Sequence, residues 1–262
     1  MASQEGVIKF KGAIGDLSFY KGKDGFMVRQ SSGIDGNRIR NAPEFARTRE
    51  NNQEFSHAGQ AGKLLRKAFQ SVLRNTADGR VASRLTKQMM VALKADATSD
   101  RGQRNVVDGE LGFLQGFEFN NNSHLGSVLT AQYTTSIDRA TGKMAANLPK
   151  FVPMNNVFAP PGATHFQFVV CGAEIDFNSG DIVVSVSQSA DLAVSQKTAT
   201  PVLLEATVTA GSTHPLFFVL GITFSQMVNG TAYPLQSGSY NALSMVTVDT
   251  PAKAAVPPHV AP

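Results

Sequence analysis

The apolar positions along this chain change period twice, and each change marks a different kind of element. Between residues 7 and 30 they fall in short runs, VIKFKG and DLSFY, parted by Ala13-Ile14-Gly15. Lys23-Asp24-Gly25 then precedes Phe26-Met27-Val28-Arg29, and an Asp-Gly pair between strand-like runs is a strong hairpin signal. Leu17 and Phe19, two apart, share one face with Phe26 and Val28 across that turn. Two or three strands of this length bury no core of their own, so they need the helices or another chain to pack on. Residues 31–41, SSGIDGNRIRN, read as a polar surface connector.

From residue 43 to residue 73 the period becomes helical. Phe55, Ala58, Ala61, Leu65, Phe69 and Val72 recur at three- and four-residue spacing, one apolar stripe. Pro43 suits a first helical turn, where its missing N–H costs nothing. Gly59 and Gly62 each cost about 1 kcal/mol relative to Ala but permit close approach of another backbone. After residues 76–79, TADG, a second stripe runs through Val81, Leu85, Met89 and Ala92 or Leu93. The two helices form an αα-hairpin with facing stripes.

Residues 97–109, ATSDRGQRNVVDG, read as a linker and the preferred domain boundary. Beyond them the period falls to two. Residues 111–120 form an expected strand with Phe113, Phe117 and Phe119 as core candidates. Residues 131–138 and 143–148 flank the hairpin loop 139–142, and residues 151–163 are a proline-rich crossover. Further strands are expected at 165–177, 181–187, 202–210, 216–225 and 242–248, with glycine-bearing turns between several of them. The expected fold is therefore α+β: N-terminal short strands plus an αα-hairpin (residues 1–104), followed by a C-terminal antiparallel β-sandwich (105–250). A Pro/Ala-rich arm (251–262) ends the chain.

Charge divides along the same line. Residues 1–104 hold 19 Lys/Arg against 10 Asp/Glu, and residues 105–262 hold 5 against 10. A chain basic at one end and acidic at the other points to electrostatic docking on nucleic acid, an anionic surface or a neighbouring copy. The single Cys171 excludes an intrachain disulfide and any multi-cysteine metal site, and its apolar run reads as a buried strand. The five histidines show no ligand spacing, so no metal or cofactor is expected. No apolar leader opens the chain, and runs such as PLFFVLGITF are half the ~20 residues that span a membrane. A cytoplasmic chain without membrane insertion is expected, with export by a non-standard route left open.

Candidate chemistry is sparse. Lys63, Arg66, Lys67, Arg74, Arg84 and Lys87 lie among the helices and offer a positive face to phosphates. Arg47, Arg49, Glu50 and Glu54 make a compact charged cluster, suited to gripping a neighbouring subunit or to pairing on a solvated helix. Tyr20 and Phe26 complete the interaction candidates. Asp176 with Asp181, or Glu118 with His124 or His165, are the carboxylate and imidazole groups that folding would have to bring together. No nucleophile elbow, HExxH, P-loop or dinucleotide fingerprint occurs, so no catalytic residue is assigned and no enzyme is expected.

The blocks GAIGDLSFYKGKDGFMVR and PEFARTRENNQEF, with GFEFN at 116–120, resemble a family of conserved proteins encoded by Bacteroidota. The resemblance covers about the first 120 residues and rests on Gly12, Gly15, Tyr20, Asp24, Gly25, Arg47, Arg49, Glu50 and Asn51. It implies the same order of strand unit, arginine-rich helix start and sheet domain, and it brings no activity with it. The leading functional expectation is a non-enzymatic structural protein that self-associates into a homo-oligomer or filament through terminal arms and strand edges. The alternatives are nucleic-acid binding by the basic helical half and a carbohydrate- or peptide-binding module on the sandwich.

Overall fold

The computed structural model describes residues 2–30, 34–76, 78–235 and 238–251. All but the first residue of the expected C-terminal arm lies outside the described residues. The chain forms two compact units, Met1–Asn51 and Asn52–Pro262.

The first unit is a four-stranded antiparallel sheet and the start of the helical region. Its strands are β1 (Ala2–Ser3), β2 (Gly12–Ile14), β3 (Leu17–Gly22) and β4 (Gly25–Gln30), in the order β1-β4-β3-β2. Lys23 and Asp24 form the two-residue hairpin loop, because Gly22 pairs with Gly25. The strand expected at residues 7–12 does not form. The outer edge of β4 pairs with Ala2 and Ser3 instead, and most of the VIKFKG run has no ladder to join. The expected connector contains a short helix, α1 (Gly36–Asn41), whose N-cap Asp35 accepts from the Asn37 N–H. A 3₁₀ turn (Pro43–Phe45) leads into α2 (Ala46–Ala68), which continues into the second unit.

In the second unit α2 is followed by α3 (Gln70–Leu73), α4 (Val81–Lys94), α5 (Leu125–Val128) and α6 (Pro153–Asn156). The strands are β5 (Thr134–Asp138), β6 (Lys143–Phe151), β7 (His165–Ile175), β8 (Ile182–Gln188), β9 (Leu192–Ala193), β10 (Thr200–Thr207), β11 (Leu216–Val228), β12 (Thr231–Pro234) and β13 (Ala242–Asp249). One antiparallel sheet has the order β10-β6-β5; the larger one is built on the pair β7–β11. Strands β8 and β9 flank β7, while β12 and β13 flank β11.

The larger sheet is apolar on both faces, for a reason that its alternation makes plain. Phe166, Phe168 and Val170 of β7, with Phe218, Leu220 and Ile222 of β11, pack against Met144, Ala146, Leu148 and Leu204 of the smaller sheet. The intervening residues Val169, Cys171, Ala173, Phe217 and Val219 pack against Leu65, Phe69, Leu85 and Met89 of the helical region. The unit is thus three layers: helices, large sheet, small sheet. At Gly221 the sheet leaves no room for a side chain. A β-carbon there would lie 2.7 Å from the carbonyl oxygen of Ala242 and 2.8 Å from Leu243.

The helical hairpin forms as its stripes predict, with Ala58, Ala61, Leu65, Phe69, Leu85, Met89 and Leu93 buried. Gly62 faces Leu85 and Met89 across it, whereas nothing approaches Gly59. Phe55 is not part of the stripe: it is 62% exposed, and Glu54 occupies the buried position four before Ala58. Residues 97–109 are not a free linker. The buried Asp96 carboxylate accepts from the N–H groups of Thr98, Ser99 and Asn105, and from the Thr98 hydroxyl. Glu54 accepts from the Gly102 N–H at 3.0 Å. The compact division therefore falls at Asn51/Asn52, inside α2, and the helical hairpin belongs with the sheets. The expected strand at 111–120 splits. Leu111–Leu114 is a 3₁₀ turn that buries Leu111 and Leu114 and leaves Phe113 exposed. Residues 116–119 do run along β13, exchanging backbone hydrogen bonds with Leu243 and Met245, and bury Phe119.

Gly221→Ala is expected to cost about 1–3 kcal/mol by forcing backbone apart, measured by urea unfolding. Burial alone would raise the Asp96 carboxyl, but hydrogen bonds from Ser99 and Thr98 outweigh it and hold the pKa well below the ordinary 3.8. A depressed pKa stabilises the fold above the ordinary value and is lost as pH falls below it. Asp96→Asn should therefore cost about 1.5–3 kcal/mol at pH 7. Its deficit against the native chain should narrow below pH 4, which unfolding curves across pH will show.

Candidate interaction surface

Turn geometry fixes the faces of the N-terminal sheet. Ile14 pairs with Leu17, Phe19 with Val28 and Lys21 with Phe26. Directly opposed residues in an antiparallel ladder point to the same side. Ile14, Leu17, Phe19, Phe26 and Val28 therefore share one face, including the four residues that the sequence places together. Phe10 joins them, its ring 5.7 Å from that of Phe19, and the Lys21 Nζ lies 5.6 Å from the Phe26 ring centre. The other face carries Tyr20 and Met27, with the Arg29 guanidinium 5.7 Å from the Tyr20 ring centre. Tyr20 and Phe26 thus sit on opposite faces. No described residue between Ala2 and Asn51 is buried, and Ile14 is 59% exposed.

The expected charged cluster separates on folding. Arg47 and Glu50 form an exposed pair at 3.0 Å, one turn apart on α2. Arg49 turns to the backbone, donating to the carbonyls of Ile39 at 3.0 Å and Ala42 at 2.8 Å. It satisfies carbonyls at the end of α1, a cation at a helix C-terminus. Glu54 is buried in the second unit and holds the 97–109 segment, so it offers nothing to a neighbouring surface.

The basic set also divides. Arg84 donates to the carbonyls of Glu118 at 2.7 Å and Phe119 at 3.2 Å, and to Asp78 at 2.6 Å. Its guanidinium lies 5.1 Å from the Phe117 ring centre. This arginine clamps the 116–119 segment to α4 and is committed to the fold. Arg66 is half-buried; Lys63, Lys67, Arg74 and Lys87 remain exposed.

Glu118 and His124 do come together. Burial raises the Glu118 carboxyl above its ordinary range, against lowering by the Leu125 N–H, the His124 charge and the Ser244 hydroxyl. Tyr133 is raised in turn by burial and by Glu118. Both Glu118 oxygens receive the Leu125 N–H at 3.3 Å, and no side chain among the described residues hydrogen-bonds the His124 ring. The carboxylate anchors the start of α5. His165 lies elsewhere, with the Thr164 hydroxyl 3.0 Å from its Nδ1. Asp176 and Asp181 close opposite sides of the β7–β8 turn, one taking the Asn178 N–H and the other the Ser179 hydroxyl. Among the described residues no three His, Cys, Asp or Glu side chains gather as a metal site, and no helix is long and apolar enough to cross a membrane.

Sequence reasoning missed Arg139. It donates to the carbonyls of Ser212 and His214, and to both the carboxylate and the carbonyl of Asp249. Nothing in the RATG loop signals partners 73 to 110 residues away.

No protein-family model, curated protein or solved structure matches the chain.

Cys171 is fully buried, and burial pushes its thiol up to about 12. Roughly one thiol in ten thousand is then ionised at pH 8, so the native chain should resist iodoacetamide, whereas the urea-unfolded chain should alkylate readily. Mass spectrometry of the two samples checks this.

Proposed function

We propose that the chain is a non-enzymatic structural protein that self-associates into a homo-oligomer or filament, a second copy covering the apolar face of the N-terminal sheet. One observation carries the reading. Phe10, Ile14, Leu17, Phe19, Phe26 and Val28 gather on one side of a sheet in which no described residue is buried. Moving a side chain of this size out of water gains about 1.5–3 kcal/mol before the costs of association. The sheet edges β1 and β2 are only two and three residues long, so its face is the larger resource.

Support for a copy of the same chain as occupant comes from a second surface. Strand β8 pairs with β7 on one side and with no strand on the other among the described residues. It exposes Val183, Val184 and Val186 and carries no charge from Ile182 to Gln188. Natural edge strands are usually guarded by lysine, proline or a bulge. Two different patches meeting on identical chains make a heterologous contact, which closes a ring or grows a filament.

The charge division gives this reading less support than the sequence implies. Residues 52–104 carry 10 Lys/Arg against 4 Asp/Glu, and their helices pack on the acidic sheet within one unit. Much of the opposition is therefore internal to the chain.

Light scattering across a concentration series should show masses rising above the 27.9 kDa of one chain. The exposed pair Ile14→Ser, Leu17→Ser should weaken association at least tenfold without changing the circular dichroism. A mass that stays at one chain at millimolar concentration would exclude the proposal.

A further inference from the structure

A cavity of about 330 Å³ lies between α2, residues 105–107 and the turn joining β7 to β8. Ala61, Leu64, Val106, Val107 and Phe177 supply apolar walls, and His57 stands among the polar residues beside them. In a chain with 24 Lys/Arg and 20 Asp/Glu, not one charged residue lines it. That volume falls at the small end of ligand sites, roughly 300–1,000 Å³.

The walls are held in place before any ligand arrives. Glu54 accepts from the Gly102 N–H, and the Asn105 side-chain oxygen accepts from the N–H groups of Val107 and Asp108 at 2.9 Å. The His57 Nδ1 lies 3.0 Å from the Arg104 carbonyl oxygen. A carbonyl oxygen only accepts, so Nδ1 is the donor of this contact, and in the singly protonated ring Nε2 is the acceptor. Nε2 has no hydrogen bond among the described residues. The His57–Arg104 contact thus does two things: it ties α2 to the loop and sets Nδ1 as the donor nitrogen.

We propose that this cavity binds a small, neutral, largely apolar molecule with a single O–H or N–H donor, which His57 Nε2 accepts. A charged ligand would lose its hydration with no countercharge in the walls. A molecule of the same shape without the donor would leave Nε2 unpaired. The site is independent of self-association, so the two proposals fail separately.

Phenol, toluene and benzoate are the probes, titrated into the full chain while methyl signals of Leu64, Val106 and Val107 and the ¹⁵N signals of His57 are followed by NMR. Phenol should saturate, bind at least tenfold more tightly than toluene and move the Nε2 signal; benzoate should not bind. Leu64→Trp, filling the cavity from a half-buried position, should abolish both phenol and toluene binding. His57→Phe should erase the difference between them. Equal affinities for phenol and toluene, phenol shifts that persist in Leu64→Trp, or no saturation at all would overturn the proposal.

Discussion

The structure depends on one pairing, that of β7 with β11. Ten consecutive residue pairs join them, from Leu216 with Glu174 to Ser225 with His165. Both strands are buried on two faces over most of this length, so they read as nearly continuous apolar runs. Each face then dictates a layer. One set of alternate side chains demands the small sheet and the other demands the helical hairpin, since neither set can be left in water. Gly221 shows how close the fit is, because β13 and β7 approach it where a methyl group has no room.

Polar groups finish what this pairing begins. Buried carboxylates in this fold are not paired with one another; they collect backbone N–H groups from irregular segments. Asp96 and Glu54 fasten the 97–109 loop to the helical hairpin, and Glu174 takes the Thr209 N–H and the Ser212 hydroxyl at the opposite end. Two arginines do the complementary work. Arg84 satisfies carbonyls of the 116–119 segment, and Arg139 gathers those of residues 212, 214 and 249. Loops buried in this way need such partners, because an unsatisfied backbone group costs about as much as a lost hydrogen bond. Arg84 and Arg139 are thereby taken up by backbone acceptors inside the fold rather than offered to a ligand.

The N-terminal sheet obeys a different rule. Its register collects apolar residues on one side, yet it lacks the buried centre that this collection normally produces. A folded sheet with an apolar face and no buried residue among those described is the observation on which the proposal of self-association rests. The small cavity beside His57 belongs to the other unit, and the proposal made for it rests on different physics, namely its shape and a lining without Lys, Arg, Asp or Glu.

Much of the architecture was legible in the order of residues. Period 3.6 located the helical hairpin, period 2 located most of the long sandwich strands, and the Asp24-Gly25 signal located the N-terminal hairpin, whose loop is Lys23-Asp24. These patterns are local, and local sterics and solvent exclusion suffice to decide them. What the tertiary structure alone decided concerns residues whose partners are remote. Glu54 looked like one of four exposed charges until burial placed it under Gly102. Arg84 looked like a phosphate ligand until the 116–119 segment came to rest on it. The 97–109 stretch has the composition of a linker, and only its hydrogen bonds to Asp96 and Glu54 show that it is part of the core unit. Composition records what a residue is able to do, whereas its role follows from which donors and acceptors folding leaves unsatisfied beside it.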